Sequence, residues 1–433
     1  MSRARILGVL PWLVMVTAPS QSQSPVDPNA RLALAAKRIE DGVERQQRFI
    51  CDAVISREFY RTDTARSNGG ATNIPREPRG SLMGRDRLHV EVAVFDDRQL
   101  FSWPGTGTFH FEGLDEMTGG GTSGTGDFGS FAASFLADSD PASVRFRGVG
   151  EWAGRQVAEY SYDVPLVRSH YTIATGPHQV ERAAYQGSMF VDTRTGDLRR
   201  LVIRVPGPPA ASGILRAEVD TSYAPQPGTQ GPDLFPSTSA LAMLLNGGSE
   251  AINRTTYRGC HFFTSESTLH FGAFSSAPPK AEEPATSSRL PAGLDVRSTM
   301  LALIDSRTAY AGDLLEARVV NRVKQGKRTL VPKGAVLHGR IVRLQQQYYP
   351  RVSVRVGVRF TSVEFDGMSE AIALASRGSV SYDTGFRPQN WPVEVPEVSR
   401  EPEQAGQHIA TIWAFGKDCI RFDSHTVWRW KTH

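Results

Sequence analysis

Runs in which apolar and polar residues alternate dominate this chain, and their period of two predicts β-strands. Leu88, Val90, Val92 and Val94 alternate with Arg87, His89, Glu91 and Ala93, the pattern of a half-buried strand. Asp96-Asp97-Arg98 reads as a turn, and Gln99 to Trp103 as the returning arm of a hairpin. Further strands are predicted at 50–60, 143–150, 156–164, 170–174, 187–192, 198–205, 214–223, 238–244 and 253–263, with Thr195-Gly196-Asp197 as one connecting turn. Near the C-terminus, Val352, Val354, Val356, Val358 and Phe360 alternate with Ser353, Arg355, Gly357 and Arg359, the cleanest strand of all. Leu315, Ala317 and Val319 alternate likewise, Pro332-Lys333-Gly334 is a tight turn, and Asp366-Gly367 closes a hairpin that returns through Ile372 and Leu374. Aromatic strands carrying Trp413, Phe415, Phe422, Trp428 and Trp430 end the chain.

Two stretches carry helical spacing instead. Asp27 and Pro28 read as an N-cap and first helical residue, and Leu32, Ala36, Ile39 and Val43 then recur at helical intervals to about Arg48. A helical insert is predicted over 113–137, with Phe128, Phe131, Ala132 and Phe135 on one face. It contains the densest glycine tract in the chain, TGGGTSGTGDFGSFAASFLADS at 118–139, where Gly124, Gly126 and Gly129 spell G-x-G-x-x-G. A dinucleotide fingerprint needs a buried strand before it and a βαβ unit around it, and neither is present. No Walker lysine follows, and no kinase catalytic loop accompanies Asp127-Phe128-Gly129. The tract therefore reads as a flexible junction before an amphipathic helix that can cover the concave side of a sheet.

A Pro/Ala/Ser/Glu segment without apolar periodicity, 275–293, reads as a linker between two units. The expected fold class is mainly β: an N-terminal helix and one large curved antiparallel sheet or barrel before the linker, followed by a small β-barrel domain over 294–433. The 40 glycines and 27 prolines among 433 residues suit such a turn-rich chain.

The first residues look like a secretory leader. Arg3 and Arg5 form a basic region, Ile6 to Val16 an apolar core, and Ala18 and Ser20 the small residues before a cut, so 1–20 is expected to be a signal peptide. The alternative is an uncleaved N-terminal anchor. No later stretch is apolar enough to span a bilayer, so no transmembrane segment is expected in the mature chain, which is placed in the periplasm or secreted. A net charge of +4 with scattered arginines forms no basic stripe, which argues against nucleic acid.

Candidate chemistry is sparse. Neither Ser123 nor Ser130 has glycine at both the −2 and the +2 position of a nucleophile elbow. His89 with Glu91, and Cys260 with His261, have no third ligand at metal spacing. Asp96-Asp97 and Asp115-Glu116 do not resemble a glycosidase pair. No catalytic residue, metal or cofactor is expected. Cys51 lies in the first strand after the helix and Cys260 in the last strand of the same unit. A bridge between them would be worth up to about 5 kcal/mol, and the alternative is two reduced core thiols. Cys419 reads as a buried thiol.

The segment YQGSMFVDTRTGDLRRLVIRV, 185–205, carries Gly187, Phe190, Asp192, Thr195, Gly196, Leu198 and Arg200 in a paired-strand pattern. On these residues the first unit resembles the LolA-like family of periplasmic lipid and lipoprotein carriers. The resemblance covers about 28–270 and implies a long N-terminal helix, a highly curved antiparallel half-barrel and short plug helices at its mouth. More faintly, LIDSRTAYAGDLLEARVVNRV and LVPKGAVLHGRI resemble the barrel of TrbI-type secretion-channel subunits. The tandem resembles a group of exported bacterial proteins. What the carrier resemblance implies is a non-enzymatic protein that binds a lipid or lipidated partner on the concave face, with Leu88, Val90, Val92, Phe101, Trp103, Phe128, Phe131 and Phe135 lining the site. Ordinary core packing is the alternative for each of these residues. The competing function is a cell-envelope scaffold or secretion-associated component acting through protein contacts; a hydrolase is the remote third.

Overall fold

The computed structural model describes residues 27–46, 49–61, 80–95, 98–109, 113–118, 122–140, 143–176, 179–225, 235–262, 290–376, 381–382, 410–415, 419 and 421–432. The expected signal peptide at 1–20 and all of the expected linker at 275–293 before Leu290 lie outside them.

The first part begins with helix α1 (Pro28–Gln46) and strands β1 (Phe49–Arg61), β2 (Ser81–Phe95) and β3 (Arg98–Ser102). Helices α2 (Leu114–Thr118) and α3 (Ser130–Asp138) follow. Then come β4 (Arg145–Trp152), β5 (Arg155–Val164), β6 (Thr172–Gly176), β7 (Gln179–Arg182), β8 (Tyr185–Asp192), β9 (Leu198–Val205), β10 (Ile214–Tyr223), β11 (Pro236–Leu245) and β12 (Ser249–Phe262). Beyond them lie β13 (Asp295–Met300), β14 (Ile304–Asp305), β15 (Leu314–Val319), β16 (Val323–Gln325), β17 (Arg328–Val331), β18 (Val336–Gln347) and β19 (Ser353–Phe365). The chain closes with β20 (Met368–Ala371), β21 (Leu374–Ser376), β22 (Ser381–Tyr382), β23 (Ala410–Phe415), β24 (Arg421–Phe422) and β25 (Thr426–Thr432).

In the first part, antiparallel pairing runs β3–β2–β1–β12–β11–β10–β9–β8–β5–β4. In the second it runs from β21 and β22 on β25 through β13, β15 and β18 to β19, whose far edge is shared by β20 and β23. One edge of β18 pairs first with β15 and then, at Gln345–Gln347, with Gly84–Asp86 of β2. The two parts are thereby one sheet of 19 strands among the described residues.

This pairing corrects the expected shapes. Among the described residues no ladder joins β3 to β4, and none joins β20 or β23 to the β25 end. The sheet is open, so neither the half-barrel nor the small β-barrel is present. Alternation fixes which face a residue takes, whereas closure depends on strand tilt and stagger that alternation does not encode. Here the free edge of β18 is taken up by β2 instead of by ring closure.

Two apolar clusters hold the sheet. One runs from Cys51, Ala53, Val90 and Val92 through Leu337 and Val356 to Trp428 and Trp430, crossing from the first part to the second. The other lies between the helices and β5, β8, β9 and β10, with Ala35 and Ile39 of α1 and Ala132 and Phe135 of α3 against Tyr160, Tyr162, Met189 and Leu201. Gly187 on β8 permits this packing, because a Cβ there would fall 1.8 Å from the Val202 carbonyl and 2.6 Å from the Tyr162 hydroxyl. A register shift in β1 between Ile50 and Asp52 sets Cys51 beside the end of β12, and a disulfide joins it to Cys260.

Candidate functional site

Strand register lays a row of side chains across the covered face of the first part. From β2 to β5 it reads Leu88, Ile55, Thr255, Ser239, Thr221, Leu201, Met189 and Tyr160. The parallel row reads Asn253, Leu241, Val219, Ile203, Gly187 and Tyr162. The second row continues beyond Asn253 to Arg57 and Asp86, so the face is apolar toward β8 and β9, carries hydroxyls in its middle and is polar at the β1–β2 end of that row. Buried hydroxyls are costly unless hydrogen-bonded, and the glycine tract supplies their partner.

Residues 122–129 are packed against this face, which corrects the expectation of a loose junction. Gly126 and Gly129 take positive φ values of 120° and 92°. A Cβ at Gly126 would lie 2.4 Å from the Phe131 ring, so the turn requires glycine. The turn drives Asp127 and Phe128 into the protein, where both are buried. The Asp127 carboxylate accepts from Thr221 Oγ1 at 3.0 Å, Ser239 Oγ at 2.8 Å and the Tyr257 hydroxyl at 2.6 Å. The Gln99 side-chain carbonyl, oriented toward the tract, accepts from the backbone N–H of Gly126 at 2.9 Å and of Asp127 at 3.0 Å. Asn253 donates to the Thr122 carbonyl at 2.7 Å. The Phe128 ring meets Tyr257 edge-on at 5.0 Å.

Burial raises the Asp127 carboxyl above its ordinary range, and its three hydroxyl donors offset only part of that rise. Burial and the Asp127 charge raise the phenols of Tyr257 and Tyr223 well above theirs. Burial also pushes Tyr171 up to about 12.

At the far end of the insert, Asp138 closes α3. Its carboxylate accepts from the backbone N–H of His170 at 2.9 Å and the Tyr185 hydroxyl at 2.8 Å, and it also meets His170 Nδ1. A buried carboxylate on an imidazole is two-thirds of a hydrolase triad. Asp138 thereby ties the end of α3 to His170 and to Tyr185 on β8, and among the described residues no serine, threonine or cysteine bonds the other ring nitrogen of His170.

Between insert and sheet remains a cavity of about 30 Å³, lined by Ile55, Val92, Phe101, Phe131, Val219 and Leu241 with Asp127, Ser239, Thr255 and Tyr257. That is room for about two water molecules and none for an acyl chain while the insert is docked. Of the expected lining residues, Val92, Phe101 and Phe131 border this cavity. Leu88, Val90 and Phe128 are buried in the first apolar cluster, with Trp103 packed against it, and Phe135 is buried in the second against Tyr162. Asp127 entered the sequence reasoning only within a kinase-like tripeptide that was set aside, and Thr221, Ser239, Tyr257, Val219 and Leu241 were not singled out. The signal that could have found the first hydroxyl is Thr221, the one polar member of the inward set Ala217, Val219, Thr221 and Tyr223 on β10.

His89 stands 3.6 Å from Asp313, and Glu91 accepts from the Gly105 N–H at 2.9 Å. Among the described residues no group of three His, Cys, Asp or Glu side chains could hold a metal. Nor is any helix among them long and apolar enough to cross a membrane.

No protein-family model matches the chain, and neither does any curated protein sequence. Among solved structures it is similar to a LolA superfamily protein from Nitrosomonas europaea at 10% identity, over 53% of this chain and 94% of that one, with a TM-score of 0.25. It is also similar to a domain assigned as an outer membrane lipoprotein-sorting protein from Vibrio parahaemolyticus at 12% identity, over 54% and 92%, with a TM-score of 0.23. At these scores the likeness is distant.

Proposed function

We propose that this is an exported, non-catalytic binding protein whose first part takes the acyl chain of a lipid or lipidated partner on the sheet face beneath residues 122–138. The observation that carries this reading is the composition of that face. Ile55, Val92, Phe101, Val219 and Leu241 give it apolar side chains on either side of Thr255 and Ser239, beneath an insert that turns at Gly126 and Gly129. Withdrawing the insert would expose these apolar side chains around the hydroxyls of Thr221, Ser239 and Tyr257, apolar surface with placed polar anchors of the kind that holds lipid. The leader at 1–20 supports a periplasmic or secreted location.

Binding of a fluorescent acyl probe by the purified mature chain tests this. Val219→Asp or Leu241→Asp places a carboxylate on this face and is expected to abolish probe binding, with folding checked by circular dichroism. Unchanged binding by both folded variants overturns the reading.

A second reading, an envelope scaffold, is favoured by the small size of the cavity and by exposed Val149, Leu166, Val167 and Val180 on the β4–β7 side. It predicts a stable oligomer by light scattering and no bound lipid.

A further inference from the structure

The hydroxyls in the middle of the covered face converge on one point. Thr221, Ser239 and Thr255 occupy successive places in one cross-strand row, on β10, β11 and β12, and Tyr257 reaches in from two residues further along β12. Thr221, Ser239 and Tyr257 direct their oxygens at a single carboxylate, that of Asp127. The Tyr223 hydroxyl, buried two residues from Thr221 on the same face, has no hydrogen-bond partner among the described residues.

The carboxylate and its cradle belong to different parts of the molecule. The hydroxyls sit on strands, held in place by ladders on both sides. Asp127 sits on the insert, the one layer that must leave for the face to open. Once it leaves, the cradle keeps its donors and loses their acceptor. Unpaired buried donors on an apolar surface are costly, and a ligand that restores the acceptor is favoured over one that cannot.

We propose that the ligand is a long-chain monocarboxylic acid, a free fatty acid, whose carboxylate takes the place of Asp127 between Thr221, Ser239 and Tyr257 while its chain lies over Val92, Phe101, Val219 and Leu241. Asp127 is then a built-in competitor that occupies the headgroup site in the closed protein. The inference rests on the acyl-binding reading above and adds the headgroup to it.

The test is displacement of a fluorescent acyl probe from the full mature chain by palmitate, hexadecanol and methyl palmitate, compounds that share a chain and differ in the headgroup. In the unaltered protein palmitate is expected to bind about tenfold or more tightly than the alcohol or ester, the worth of hydrogen bonds to a charged acceptor. Asp127→Ala is expected to raise palmitate affinity. Tyr257→Phe combined with Ser239→Ala is expected to bring palmitate affinity down to that of hexadecanol and methyl palmitate. Equal binding of all three compounds overturns the carboxylate assignment and leaves the acyl site standing. Failure of every compound to bind, in Asp127→Ala as well, overturns both. The comparison of ligands on the unaltered protein decides the matter even where a variant does not fold.

Discussion

At the scale of single residues, Asp127 links the chemistry of the site to pH. Its carboxyl is held above the ordinary value of 3.8, with burial the largest cause. The titratable groups set against it are the phenols of Tyr257, Tyr223 and Tyr171, themselves raised. A docked insert thus holds the Asp127 proton more firmly than a released one. This contribution to docking is complete below the ordinary value and is lost as pH rises through the raised one. Amide exchange over 122–138, corrected for its intrinsic pH dependence, is expected to quicken as pH rises, and Asp127→Asn is expected to flatten the trend. A wild-type segment whose protection does not change with pH contradicts this. Little of the arrangement was legible beforehand. The inward set on β10 is readable from alternation, but that Thr221, Ser239 and Thr255 form one row depends on register across three strands. Asp127 hid within a glycine tract that reads as loop, because glycine signals permitted backbone angles and says nothing of where the next side chain goes.

At the scale of elements, strands with clean period two were the most legible: β2 and β19 emerge where Leu88–Val94 and Val352–Phe360 alternate. Helix α1 was legible too: Ile39 of the expected stripe is buried and Leu32 and Val43 pack against the second cluster, with Arg31 and Ala35 buried beside them. Phe128 was expected on the helix and instead precedes α3, whose N-cap is Gly129. The insert is tied to the sheet at its near end by α2. Arg57 on β1 donates two bonds to Asp86 on β2, at 2.8 and 2.6 Å, and a third to Thr118 at the end of α2, at 3.1 Å. Both members of the ion pair are buried. Asp86→Ala leaves the guanidinium without its counter-charge and is expected to cost about 3–5 kcal/mol of stability by denaturant titration. A loss below about 1 kcal/mol would show that water or another acceptor reaches Arg57.

At the scale of the whole molecule, the sheet is continuous and open, and the joint between its parts is the short pairing of β18 with β2. Gly84 in that joint leaves a hypothetical Cβ 3.2 Å from the Gln346 carbonyl, so the close approach of the strands favours glycine. The first apolar cluster crosses the same joint, so strands from both ends of the chain share a core. Sequence patterning located the strands of each part, whereas their joining and the lack of closure arise from long-range pairings with no local signature. The covered face of β1 and β10–β12 lies beneath the insert, and the central claim is that this face holds lipid. Native mass spectrometry of the mature full-length protein purified from a bacterial periplasm, with organic extraction of whatever is bound, tests this most directly. The account predicts a stoichiometric acyl species, lost in Val219→Asp. A protein that is empty as purified, and stays empty when offered fatty acids and phospholipids, contradicts it.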